Sequence, residues 1–264
     1  MRSFAAAALA LGLAVTAGPA TAQSGNRSFE ATYTVIARGM EAGDFVFRFN
    51  QTGSTYTASA TRQMRGLAAA ALGRNQDYRY NVSGAVTAEG ALRPAAYEHQ
   101  GGRRRDDRPN GRLVRSTFTA DNVTTVSVPA GMNMGDPQAT AAQRRNVIDQ
   151  ITAIAAMVTT TGDPCAQTLR IYMDGRARFD FAMTPNGNVT IRSRAYEGAG
   201  VRCSVAFRPI AGFTDPQEAS TLTFLFARTP SGMWAPITIE MPADGVGVVR
   251  LEARRVSANG QALR

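Results

Sequence analysis

Apolar side chains recur at every second position along most of this chain, and a segment patterned that way buries one clean face only as a β-strand. Phe29, Ala31, Tyr33, Val35 and Ala37 fall on one side, with Glu30, Thr32, Thr34 and Arg38 on the other. Phe45, Phe47 and Phe49 repeat the scheme after a turn read at Ala42-Gly43. Tyr56-Ala58-Ala60, Tyr78-Tyr80-Val82, Ala177-Phe179-Phe181-Met183 and Val201-Cys203-Val205-Phe207 follow. The last such runs are Leu222-Phe224-Phe226, Ile237-Ile239-Met241 and Val249-Leu251-Ala253. Asp174-Gly175, Asn186-Gly187 and Asp244-Gly245 read as turns between strands. One greasy and one polar face per strand is the pattern of an antiparallel sheet wet on one side.

One segment breaks the rhythm. Asp136-Pro137 is a helix start, Gly162 a stop, and Val147, Ile151, Ile154 and Val158 recur between them at helical spacing. Ile148, Ala155 and Met157 widen the apolar stripe, while Arg144, Arg145 and Asp149 take the other side. A weaker helical or loop piece is read from Met64 to Gly73. A sheet of about ten twisted strands cannot stay flat. The expected fold is therefore mainly β: one large curved antiparallel sheet, a half-barrel, with one amphipathic helix packed on its concave face. Two packed sheets forming a sandwich, with the helix peripheral, are the alternative.

The N-terminus predicts export. Arg2, the apolar stretch Phe4 to Val15 and the small-residue pattern Ala20-Thr21-Ala22 make residues 1–22 a cleavable signal peptide. That leaves residues 23–264 as a single domain, since no repeat or linker divides them. No Cys stands at the cleavage point to carry a lipid, and the later apolar run from Ile148 to Val158 is too short to span a bilayer. The expected address is the periplasm of a bacterial-type envelope. Cys165 and Cys203, the two cysteines of an exported chain, are expected to pair as a disulfide.

The charge is +9, and every basic residue is Arg. Arg192 with Arg194, and Arg250 with Arg254, alternate with other residues as on a solvated strand face, without the clustering of a nucleic-acid binder. The dense run Arg103-Arg104-Arg105-Asp106-Asp107-Arg108 carries its own counter-charges. Absence of Lys removes phosphate-cradling Gly-Lys loops, Schiff bases and Ser-Lys dyads. His99 is the single histidine, no Gly-x-Ser-x-Gly elbow occurs, and no ligand set for zinc is present. His99 is expected to be a partly exposed strand residue on the same side as Tyr97. Asp44, Asp174, Asp180 and Glu197 are the carboxylates open to glycosidase chemistry, with solvent-facing or salt-bridged roles expected. Trp234, before Ala235-Pro236, reads as a buried core anchor.

Several landmarks together resemble a family of bacterial exported proteins catalogued as domain of unknown function 3108. They are Ala42-Gly43, Gly66-Leu67-Ala68, Ser83-Gly84, Leu92-Arg93-Pro94-Ala95-Ala96-Tyr97, Asp149-Gln150-Ile151-Thr152-Ala153 and Asp174-Gly175-Arg176, then Cys203 and Pro236-Ile237-Thr238-Ile239 leading to Gly247. Where the family often has an acidic residue before Arg-x-Pro, this chain has Gly232-Met233-Trp234-Ala235-Pro236. The resemblance implies an envelope location and a β-rich fold, and it supplies no activity. It also suggests a similarity of shape to lipoprotein-carrier half-barrels.

The expected function is non-enzymatic, without cofactor or metal. Phe45, Phe47, Phe179, Phe181, Phe224 and Phe226 on the sheet and Ile148, Ile151 and Ile154 on the helix are expected to line a cavity for a lipid-like or other hydrophobic molecule. The same residues packing on one another as a dry core is an equal alternative, and two other functional readings remain at this point. One is a module that binds an envelope protein or the cell wall through an Arg-bearing face around Arg103 to Arg105. The other is a carboxylate-dependent enzyme acting on envelope glycans.

Overall fold

The computed structural model of the protein describes residues 25–64, 76–105, 108–109, 111–243 and 245–264. The expected signal peptide and all but the first residue of the helical or loop piece after Met64 lie outside the described residues. Among the described residues, fifteen strands form one antiparallel sheet. The first eight are β1 (Arg27–Ala37), β2 (Met40–Thr52), β3 (Thr55–Met64), β4 (Gln76–Val86), β5 (Leu92–Arg105), β6 (Arg108–Pro109), β7 (Arg112–Phe118) and β8 (Val123–Val128). After the helix α1 (Gln150–Thr159) come β9 (Thr168–Met173), β10 (Ala177–Arg192), β11 (Glu197–Ala211) and β12 (Ser220–Arg228). The series ends with β13 (Trp234–Ala243), β14 (Gly247–Ala258) and β15 (Gln261–Ala262).

The spatial order is β8-β7-β5-β4-β3-β2-β1-β14-β13-β12-β11-β10-β9, with β6 and β15 appended to β5 and β14. Two meanders are thus zipped together by β1 and β14 in the middle, and β8 and β9 are left as the two edges. The chain between those edges, residues 129–167, must join them, and α1 lies within it. It does so directly. Ile148 N donates to Arg170 O and Tyr172 N to Ile148 O along the free side of β9, while Asn146 N donates to Ala120 O beyond β7. The turn after β9 also presses on the far edge: a Cβ at Gly175 (φ +71°) would stand 2.9 Å from Val114 and 2.5 Å from Thr125. The sheet therefore rolls until its edges face each other, and connecting chain instead of strand pairing spans the gap. A curved sheet around one helix is what the alternation predicted; the sandwich is not formed.

Residues directly opposite in an antiparallel pair share a face, so the register assigns the concave side. Phe29 is paired with Phe49, Ala31 with Phe47 and Tyr33 with Phe45. These meet Ile151, Ala155 and Val158 in one core, whereas Ala153 and Met157 pack with Phe179, Phe224 and Phe226 in a second. Cys165 and Cys203 are bonded, tying the segment after α1 to β11, with Cα atoms 5.2 Å apart. Such a bond persists in oxidising compartments and is rare in the reducing cytosol. No helix among the described residues is long and apolar enough to cross a membrane.

Local readings differ from the structure in four places. The helix begins at Gln150 and not near Asp136, because its cap is Asp149, whose carboxylate accepts from Ile151 N and Thr152 N. Residues 141–146 form turns, and Ile148 is held extended by its bridge to Ile171. The first hairpin turns at Arg38 and Gly39, and Gly43 sits inside β2 at an irregularity in the pairing with β1. Asn186-Gly187 is likewise no turn but an irregularity within β10, between Pro185 and Asn188.

Candidate functional site

Past the helix, the concave face continues uncovered by α1. Phe45 stands opposite Tyr33, Leu251 opposite Ile239, Ile239 opposite Phe224, and Phe181 opposite Phe207. Phe45, Leu251, Ile239, Phe181 and Phe207 are all only half-buried, in contrast to Phe47 and Phe226, which are fully enclosed. Phe179, Phe181, Phe207 and Phe224 form a chain of ring contacts with centroids 5.1 to 6.1 Å apart.

The nine candidates for a cavity lining are thereby divided. Phe47 and Ile151 lie in the first core and Phe179, Phe224 and Phe226 in the second, each packed against protein. Phe45, Phe181, Ile148 and Ile154 flank those cores with part of their surface open. A cleft of about 400 Å³ lies beside the C-terminal end of α1, lined by Arg27, Arg93, Arg170, Thr159 and Leu169 among others, and of the nine Ile148 reaches it. A second hollow of about 340 Å³ beside the disulfide is lined by Cys165, Arg202, Arg228 and Trp234. Trp234 is thus no core anchor: it is half-buried, its indole Nε1 donates to Gly162 O at 2.9 Å, and Arg228 covers its ring at 4.8 Å. It opens a strand at the sheet's rim, where one side has no layer to cover it.

A polar cluster occupies the concave face at the N-terminus of α1. The Tyr97 hydroxyl donates to Asp174 Oδ1 at 3.1 Å and accepts from Gln150 Nε2 at 2.6 Å; Gln150 Nε2 also donates to Asp174 Oδ1 at 2.7 Å. His99 Nδ1 stands 3.2 Å from that hydroxyl and 3.7 Å from Asp174 Oδ1. The imidazole lies among Tyr78, Tyr80 and Tyr97, with ring centroids 5.8 to 6.3 Å away. His99 is therefore buried, at 7% exposure, and not partly exposed. Its strand lies deep in the curl, where β4 and β7 flank it and the helix end closes over it. Burial pushes the His99 pKa down, opposed by Asp174 and reinforced by Arg176 and Arg62, so the ring is neutral near pH 7. Burial and the nearby Asp174 carboxylate hold the Tyr97 phenol well above its ordinary value.

A second knot fixes the helix itself. Asp149 is fully buried; Thr152 Oγ1 donates to its Oδ2 at 2.6 Å, and the Tyr56 hydroxyl meets Thr152 Oγ1 at 2.8 Å. Burial raises the Asp149 pKa, and the Thr152 and backbone hydrogen bonds pull against it.

The other carboxylates proposed for chemistry are engaged with arginine. Asp44 pairs with Arg254, Asp180 with Arg178 and Glu197 with Arg192. On the outer side Arg250 meets Glu240 across β13 and β14 as a cross-strand pair of a solvated face, whereas Arg194, read from the sequence as a strand residue, stands in the bend after β10 and meets Glu41 of β2. Arg103, Arg104 and Arg105 end β5, and their side chains lie outside the described residues, as do Asp106 and Asp107. Among the described residues no group of three or more His, Cys, Asp or Glu side chains is arranged to hold a metal.

Sequence reading missed the cluster of Tyr97, Gln150 and Asp174 because its members come from β5, the first turn of α1 and the turn after β9. A signal was present: each belongs to a landmark segment of the resemblance, and those segments meet here in space. Fold and site together define a rolled antiparallel sheet with a helix plugging part of an apolar concave face and a tyrosine-rich polar patch at the plug's edge. The chain belongs to the family described as protein of unknown function (DUF3108), whose match covers residues 28–254. No curated protein and no solved structure matches it.

Proposed function

We propose that the protein is a non-enzymatic binder of an elongated hydrophobic molecule, held on the concave face beyond α1, and that it works in the cell envelope after removal of residues 1–22. What supports this reading is the apolar row that α1 leaves half-open, with Phe45, Leu251, Ile239, Phe181 and Phe207 on one continuous face. Contiguous apolar surface of this kind marks a surface that something covers. A hollow face admits a narrow flexible chain more readily than the convex surface of a folded partner, which favours a lipid-like occupant. The disulfide fits the oxidising side of a membrane.

The test is native mass spectrometry on protein purified from the envelope, compared with Phe181→Asp/Phe207→Asp. The wild type is expected to carry a lipid-sized adduct that the double variant lacks. Wild-type spectra without any adduct, together with no displacement of a fluorescent apolar probe by added lipid, would overturn the reading.

A further inference from the structure

Arg62 stands directly opposite Phe45 in the β2–β3 register, and Tyr78 directly opposite Arg62 in the β3–β4 register. The apolar row therefore ends in a cation, one strand spacing (about 4.8 Å) from Phe45. The guanidinium carbon lies 4.4 Å over the Tyr78 ring. A ring at this distance attracts the cation without using its donors, so the terminal N–H groups of Arg62 remain able to meet an acceptor. Arg62 makes no ion pair within 4 Å among the described residues, and its Nε is buried without a hydrogen-bond partner. A buried donor left unmade is costly, and such an orphan marks a place where a partner belongs.

The surroundings do not neutralise it. Asp174, the carboxylate on this side of the face, is taken up by Tyr97 and Gln150. Arg176 adds a second positive charge, and both cations act on the same imidazole, His99. A half-buried, unpaired guanidinium held over an aromatic ring at the end of an apolar row is the inverse image of one molecular type.

Resting on the concave-face reading above, we infer that the ligand is a single-chain anionic amphiphile, its carboxylate or phosphate head received by Arg62 and its alkyl chain laid along Phe45, Leu251 and Ile239. An uncharged alkyl chain fills the same apolar row and gains nothing from Arg62.

The experiment measures displacement of a fluorescent apolar probe from the delipidated protein by dodecanoate, dodecyl phosphate and dodecanol, for the wild type and for Arg62→Gln. A hydrogen-bonded charge pair of this kind is expected to favour the anions by about tenfold or more over dodecanol, with the preference collapsing in Arg62→Gln while dodecanol affinity stays unchanged. The two anions separate a carboxylate from a phosphate source, and a preference for either supports the inference. Equal binding of all three by the wild type overturns it and leaves the apolar-binder reading standing. Binding of none of the three overturns both. Should Arg62→Gln fail to fold, the wild-type preference and its weakening by salt decide the matter, since a charge-driven preference falls as ionic strength rises.

Discussion

The Asp149 knot offers the sharpest test of how the helix is held in the sheet. Asp149 is fully buried, caps α1 through hydrogen bonds of 2.9 Å from Ile151 N and Thr152 N, and accepts from Thr152 Oγ1 at 2.6 Å. In Asp149→Ala the cap alone is worth about 1 kcal/mol. Leaving two amide N–H groups in a dry site without an acceptor adds about 1–3 kcal/mol. Part of this returns, because the Thr152 hydroxyl can turn to Tyr56 and a buried carboxylate no longer has to be desolvated. The expected loss is about 3 kcal/mol. Asp149→Asn keeps one amide oxygen where Oδ1 stood and is as good a cap, so its loss should be about 1 kcal/mol. Urea unfolding at pH 7 followed by circular dichroism measures both. A loss under about 1 kcal/mol for the alanine variant, or equal losses for the two, would refute the assignment of Asp149 as the buried acceptor that fixes the helix.

Two further outcomes follow, one from Asp149 and one from the disulfide. The folded-state pKa of Asp149 is raised, chiefly by burial, so the folded chain holds this proton after the unfolded chain has released it near the ordinary value of about 3.9. The stability it contributes is thus fully present below that value and declines as pH rises toward the folded pKa. The unfolding free energy of wild type minus that of Asp149→Asn should fall as pH rises above about 4, and a difference that grows with pH would contradict the burial argument. The Cys165–Cys203 bond closes a loop with sequence separation 38, which corresponds to about 4 kcal/mol in the chain-entropy account. A Cys165→Ala/Cys203→Ala variant should unfold at correspondingly lower urea, and an unchanged midpoint would show that the bond does not constrain the unfolded chain.

The strands were readable because alternation is local: whether Phe45, Phe47 and Phe49 share a face depends on nothing beyond the pleat. The turns were less so. A glycine with positive φ serves a two-residue hairpin and an irregular strand pairing equally well, and Gly187 (φ +84°) belongs to the second case. The helix start at Asp136-Pro137 carried the right residue types, yet Asp149 three positions before Thr152 is the cap. Once Ile148 pairs with β9 it is extended, so no single helix can run from Asp136 through it to Val158. Pairing of β1 with β14 and the meeting of Tyr97, His99, Gln150 and Asp174 depend on residues far apart in the chain. No local period records them. Burial of His99 is a consequence of that assembly, which is why strand alternation placed it on the correct side and misjudged its exposure.

The proportions of the two elements bear on function. α1 has 10 residues and is about 15 Å long, whereas β10 with 16 residues and β11 with 15 extend for about 50 Å. A plug of that size covers one part of the hollow, and there the sheet carries enclosed residues such as Phe47 and Phe226. Where the plug does not reach, an alternating sheet that served only to fold would do as well with smaller or polar side chains on its inner face, because a Phe left partly open gives up part of its burial gain and favours association. This chain instead continues its aromatic pattern through Phe181 and Phe207 and ends the neighbouring row on an unpaired guanidinium at Arg62. Folding economy explains the first part of the pattern. The second part asks for an occupant with a greasy length and a negative end.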